Sequence, residues 1–156
     1  MVNGKVRVYG VLFGNGSWSR VTAGVCQGLR AHGLLAGFVP IDAHDEDETY
    51  GGHDASLGLV IGPPAEGFQL ARAVGWHKEI LVLLAPNSTW LPPKLIEYIA
   101  SNGGALGAPS AWGASVINDT IAKVYPGGKR AFVYQHGVSD AFTTDAHDEG
   151  VMDHKY

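Results

Sequence analysis

Six short aliphatic runs, each closed by a glycine, proline or asparagine breaker and spaced by stretches of helical period, constrain this chain more than any other feature. Val6 to Phe13 alternates, runs apolar and stops at Gly14-Asn15-Gly16-Ser17. A helix follows from about Arg20 to His32, with Val21, Val25 and Leu29 at helical spacing, Ser17 or Ser19 placed to cap it and Gly33 placed to stop it. Leu34 to Ile41 reads as the next strand, and Ser56 to Ile61 as a third, closed by Gly62-Pro63-Pro64. Glu66 to Trp76 has helical spacing. Glu79 to Ala85 is continuously apolar, as expected of a strand covered on both faces in a parallel sheet.

Proline at 92 and 93 suits the first turn of a helix running to about Ser101, ended by Asn102-Gly103-Gly104. Ala105 to Ala108 is a short strand, Ser110 is placed to cap a helix over Ala111 to Lys123, and Arg130 to Gln135 makes a sixth strand. Strands alternating with helices predict an α/β protein with a single doubly wound, Rossmann-like parallel sheet of about six strands. The expected strand starts are Val6, Leu34, Ser56, Glu79, Gly104 and Arg130.

The length of 156 residues suits one domain, expected over residues 1–142, with 143–156 as an acidic tail. At 46% hydrophobic and 17% charged residues the chain is too apolar to be disordered in bulk. Its 22 glycines suit many tight turns. The single cysteine, Cys26, excludes an intrachain disulfide and any multi-cysteine metal site. The absence of a long apolar run or signal-like start predicts a cytoplasmic protein with no membrane span. The Asn-x-Ser/Thr triplets at Asn15, Asn87 and Asn118 then read as chance matches.

The formal net charge of −4 is unevenly distributed. Ten of the fifteen acids fall in residues 42–54 and 145–156. The rest of the chain carries a basic excess that suits an anion site but is too modest to predict nucleic-acid binding. The word Asp-Ala-His-Asp-Glu occurs at 42–46 and again at 145–149, and both copies read as solvated acidic segments rather than a metal site. Residues 42–54 and the tail beyond Phe142 are also expected to be the most mobile or most partner-dependent parts of the chain.

In a doubly wound sheet, ligands bind beyond the carboxyl ends of the strands, so the candidate residues are those directly after each strand. They are Gly14, Asn15, Gly16, Ser17 and Trp18 after the first, Asn87, Ser88 and Trp90 after the fourth, and Ser110 and Trp112 after the fifth. The glycine-rich turn lets a phosphate approach backbone N–H groups, although Ser19 replaces the third glycine of a dinucleotide fingerprint. Loop tryptophans suit stacking on a sugar or anchoring a partner, and they also suit simple packing.

Two segments carry a family likeness. Ala108-Pro109-Ser110-Ala111-Trp112-Gly113, followed by Val133-Tyr134-Gln135-His136-Gly137-Val138-Ser139-Asp140-Ala141-Phe142, resembles the end of the N-terminal domain of retaining GT-B glycosyltransferases of the family 4 kind. There a P-S-x-W/F helix start precedes an (N/H)-G-V-x-x-x-F strand end, and the first strand with its glycine turn is similar too. The likeness covers most of residues 5–142.

The resemblance implies that Gly14, Asn15, Gly16 and Ser17 face donor phosphates and acceptor. It places Ser110 at the helix start near the cleft and makes His136-Gly137 an interdomain hinge; no cofactor and no metal are expected. Members of the family bind the nucleotide-sugar on a second Rossmann-like domain with an E-x-x-x-x-x-x-x-E motif, which is not found in these 156 residues. The resemblance therefore implies an acceptor-side half that moves a hexose from a nucleotide-sugar to a sugar or other acceptor. A donor-binding domain would come in trans or through self-association. Two other readings stay open: a noncatalytic binding or structural module that keeps the fold, and a small stand-alone nucleotide- or deoxyribosyl-transfer enzyme.

Overall fold

The computed structural model describes residues 4–11, 16–42, 55–86 and 88–134. The order of elements is β1 (Lys5–Gly10), α1 (Ser17–Ala31), β2 (Leu35–Pro40), β3 (Ala55–Ile61), α2 (Pro64–Val74), β4 (Glu79–Leu83), α3 (Pro93–Ser101), β5 (Ala105–Ala108), α4 (Ala111–Val124) and β6 (Phe132–Val133). The strands form one six-stranded sheet in the order β2-β1-β3-β4-β5-β6. Every pairing is parallel, with Tyr9 opposite both Val39 and Val60, and Val60 opposite Val82. The architecture is thus the Rossmann-like α/β sheet that the alternation of runs predicts.

Right-handed crossovers decide which face each helix covers. The chain steps from β1 to β2 in one direction and from β3 through β6 in the other, so α1 lies on one face and α2, α3 and α4 on the opposite face. The side-chain alternation of the strands follows this division. Val6 and Val8 of β1, Ile61 of β3 and Leu83 of β4 form a core with Trp18, Val21, Val25 and Leu29 of α1. Tyr9, Val60, Val82, Leu106 and Ala108 form the larger core with Phe68 and Ala71 of α2, Ile96 and Ile99 of α3, and Ala114, Ile117 and Ile121 of α4. Burying each of the fully buried Val, Leu, Ile and Phe side chains among these contributes ~1.5–3 kcal/mol.

The predicted stops after two helices have the expected chemistry. Gly33 (φ 66°) and Gly103 (φ 81°) adopt the left-handed conformation just past α1 and α3. The N–H groups of Gly33 and Leu34 return to the carbonyls of Arg30 and Leu29, and those of Gly103 and Gly104 to Ala100 and Ile99. Both ends are Schellman motifs.

Several boundaries move. α1 begins at Ser17, with Gly16 as N-cap and no side-chain cap, so neither Ser17 nor Ser19 caps it. Ser19 lies within the first turn, and its hydroxyl donates to the Gly16 carbonyl at 2.8 Å. α2 runs from Pro64 to Val74, two residues earlier at each end than the periodicity predicts, which leaves Trp76 outside the helix. β6 pairs only through Phe132 and Val133. The loop over 43–54 and the tail beyond Phe142, expected to be mobile, lie outside the described residues.

Close packing of α2 on the sheet depends on Gly67. A Cβ there would press on Val60 Cγ1 and come within 2.9 Å of Ile41 Cδ1. Gly67→Val is expected to destabilise the fold by ~1–3 kcal/mol through overpacking, read as a lowered urea midpoint with unchanged slope.

Candidate functional site

All six strands point the same way, so every strand-to-helix connection opens at one edge of the sheet. The strand order reverses between β1 and β3, which is where ligands of doubly wound folds gather. The N-terminus of α1 stands at this point. α2 and α3 each start on consecutive prolines, Pro63-Pro64 and Pro92-Pro93, which carry no N–H. In α4 the Ser110 side chain accepts from the Gly113 N–H at 3.1 Å, as its position in the sequence predicts. α1, like α2 and α3, has no side-chain cap, but its first turn carries no proline and so keeps all its backbone donors.

The tryptophans separate into two environments. Trp18 is half-buried against the α1-side core. Trp90 is 67% exposed and Trp112 49% exposed. Ser88 fixes the connection that carries Trp90, donating its hydroxyl to the Trp90 carbonyl at 2.9 Å and accepting from the Trp90 N–H at 3.3 Å. The first turn of α4, which carries Trp112, packs close by. A Cβ on Gly113 would lie 2.9 Å from Ala108 Cβ and 3.5 Å from Pro86 Cδ, the proline that follows β4. Trp90 and Trp112 therefore rise from adjoining elements on the same rim.

Of the other predicted site residues, Gly16 and Ser17 stand at the start of α1, next to the β1/β3 reversal. Gly14, Asn15, Asn87, His136 and Gly137 lie outside the described residues. So do both acidic pentapeptides, Asp42 apart. Among the described residues no group of three or more His, Cys, Asp or Glu side chains is placed to hold a metal. No helix among them is long and apolar enough to cross a membrane.

Two features of the rim were not read from the sequence as functional. The Tyr134 hydroxyl donates to the Leu84 carbonyl at 2.7 Å, bracing the end of β6 against the end of β4, and burial pushes its phenol above the usual pKa. Phe132 lies over Gly107 of β5, where any Cβ would strike its ring. The alternation of Phe132 and Tyr134 about an exposed Val133 was the available signal. A cavity of about 220 Å³ runs along α1 against β2, from Val11 and Ser19 near the carboxyl edge to Arg30, with Cys26 and Phe38 in its lining. Burial raises the pKa of the Cys26 thiol despite nearby Arg30, which keeps it protonated and weakly nucleophilic.

A second polar cluster lies toward the other end of the strands. The Tyr9 hydroxyl is 2.7 Å from His77 Nε2, and His77 Nδ1 is 2.8 Å from the Ala55 carbonyl. The carbonyl can only accept, so Nδ1 carries the proton and Nε2 accepts from Tyr9. Gly58 leaves the space for the imidazole, since a Cβ there would lie 2.9 Å from His77 Cδ2. Burial raises the Tyr9 phenol, with Arg7 opposing through its charge and a hydrogen bond. These groups tie β1, β3 and the connection before β4 together, and their role is structural.

Compared with known protein families, curated proteins and solved structures, the chain has no match.

The His77 cluster sets a pH dependence. Burial lowers its pKa below 6.5; the Ala55 carbonyl opposes that shift and the charge of Arg7 reinforces it. Between the folded and unfolded pKa values the unfolded chain holds the proton and the folded chain does not. The stability from this site is complete above pH 6.5, falls as pH drops through 6.5 and levels off below the folded pKa. Urea midpoints measured from pH 7.5 to 5 should decline more steeply in the wild type than in His77→Gln.

Proposed function

We propose that this chain is the acceptor-side half of a nucleotide-sugar-dependent glycosyltransferase, acting with a donor-binding domain outside these 156 residues. The observation that carries the reading is the pair of exposed indoles, Trp90 and Trp112, on adjoining elements at the carboxyl edge of the sheet. Flat aromatic rings with a polar edge suit the apolar faces of a sugar, or the surface of a partner domain closing on the rim. The likeness of the Pro109-Ser110-Ala111-Trp112 turn to that of retaining GT-B enzymes points the same way.

The chemistry asks little of this half beyond positioning. The bond between the hexose anomeric carbon and the diphosphate breaks, the acceptor oxygen forms the new bond, and its hydroxyl proton passes to the departing diphosphate. The charge that develops is on the diphosphate. The uncapped first turn of α1, beside the point where the strand order reverses, suits a share in stabilising it. The described rim residues Ser17, Ser88, Trp90, Ser110 and Trp112 include no acid or base, which favours an acceptor-holding role over self-sufficient catalysis.

Calorimetry of the chain alone with UDP- and GDP-sugars is expected to give no saturable binding in the low micromolar range, because half a cleft leaves the ligand mostly in water. An oligosaccharide panel read by tryptophan fluorescence should yield binders. Trp90→Ala and Trp112→Ala should each weaken such binding about tenfold, or ~1.4 kcal/mol, without lowering the melting temperature. A tight nucleotide-sugar site on the isolated chain would favour a stand-alone transferase instead. Oligosaccharide binding indifferent to both substitutions would remove the acceptor reading.

A further inference from the structure

We propose that the opposite edge of the sheet, where β4, β5 and β6 begin, is a docking surface for an anionic lipid bilayer. Trp76, between α2 and β4, is 95% exposed, the most exposed of the large apolar side chains described. Its ring adds nothing to either core. At a bilayer interface such a ring sits at the level of the headgroups, with its apolar body in the acyl boundary and its N–H in the polar layer.

The groups around Trp76 suit the same partner. Lys129 Nζ bonds Glu79 Oε1 at 2.8 Å and so brings the α4–β6 connection to the start of β4. Tyr125, 39% exposed, therefore comes to the same end as Trp76, together with Lys78, Lys129 and Arg130. Among the described residues from 75 to 79 and from 125 to 131, Glu79 is the only acid, and Lys129 already neutralises it. A depression of about 230 Å³ between α4 and residues 127–130 is lined by Asn118, Lys129 and Arg130, with room for a headgroup phosphate.

Bases in the last turn of a helix have a simpler explanation, since they offset the helix dipole, and Lys123 of α4 is one of these. Lys78 and Arg130 lie in connections and have no such role. A bilayer fits better than a polynucleotide. The indole projects from the end of the domain instead of lining a groove, which suits insertion into a soft surface. The formal net charge of −4 opposes long-range attraction to either, so binding depends on local contact of these bases with headgroups, within a Debye length of ~8–10 Å. This edge faces away from Trp90 and Trp112, so docking there leaves the rim free.

The test is co-sedimentation of the full chain with vesicles of phosphatidylcholine alone or with about one third phosphatidylglycerol, at ~0.1 M salt. The chain is expected to bind the anionic vesicles and not the neutral ones, and to be released at ~0.5 M salt. Lys78→Gln and Arg130→Gln should each lower the partition coefficient about fivefold. Trp76→Ala should lower it further while leaving thermal unfolding unchanged, because the ring meets no core. Three results would overturn the proposal: no binding to anionic vesicles, binding that Trp76→Ala leaves intact, or displacement from the vesicles by a single-stranded oligonucleotide at lower concentration.

Discussion

The hydrogen-bonded parallel ladder through β1, β3 and β4 is the constraint on which the rest of this structure depends. Strands of a parallel sheet cannot be joined by hairpins, so each must be followed by a crossover, and a sheet with crossovers must bury apolar side chains on both faces. Val8 and Tyr9, neighbours in β1, are both fully buried but belong to different cores. The same holds for Val60 and Ile61 in β3. A polar substitution at any of these four positions would strand a group between packed layers, whichever way it faced.

This ladder also gives the molecule two chemically different edges. Helices start at the carboxyl edge, where prolines, Ser110 and the uncapped turn of α1 determine which backbone donors remain available. Helices end at the amino edge, where glycines close them and bases accumulate. Trp90 and Trp112 belong to the first edge, and Trp76 to the second. Residues of one type thus carry different functional meanings according to the direction of the strands beside them.

The rim is held by contacts that do not themselves resemble a site. Gly107 leaves room for Phe132, Tyr134 ties the end of β6 to the end of β4, and Gly113 lets α4 pack against Ala108 and Pro86. Together they fix the backbone from which Trp90 and Trp112 rise. The Tyr9–His77–Ala55 hydrogen bonds do comparable work at the other end, where a half-buried imidazole links β1, β3 and the connection before β4.

The sequence by itself determined the alternation of elements, the parallel sheet, the Ser110 cap and the glycine stops at Gly33 and Gly103. Each of these depends on local chemistry: side-chain period, a hydroxyl beside an orphan N–H, or a backbone free to adopt positive φ. Only the tertiary structure decided that α1 covers one face alone, because that follows from the direction of crossovers along the whole strand order. It also decided that Trp18 packs while Trp76, Trp90 and Trp112 do not. The periodicity that continued α2 to Trp76 could not show this, since Glu66 to Trp76 keeps a helical pattern past the point where the chain leaves the helix. An indole has the same hydrophobicity in every loop, and its exposure depends on which neighbours the fold brings to it.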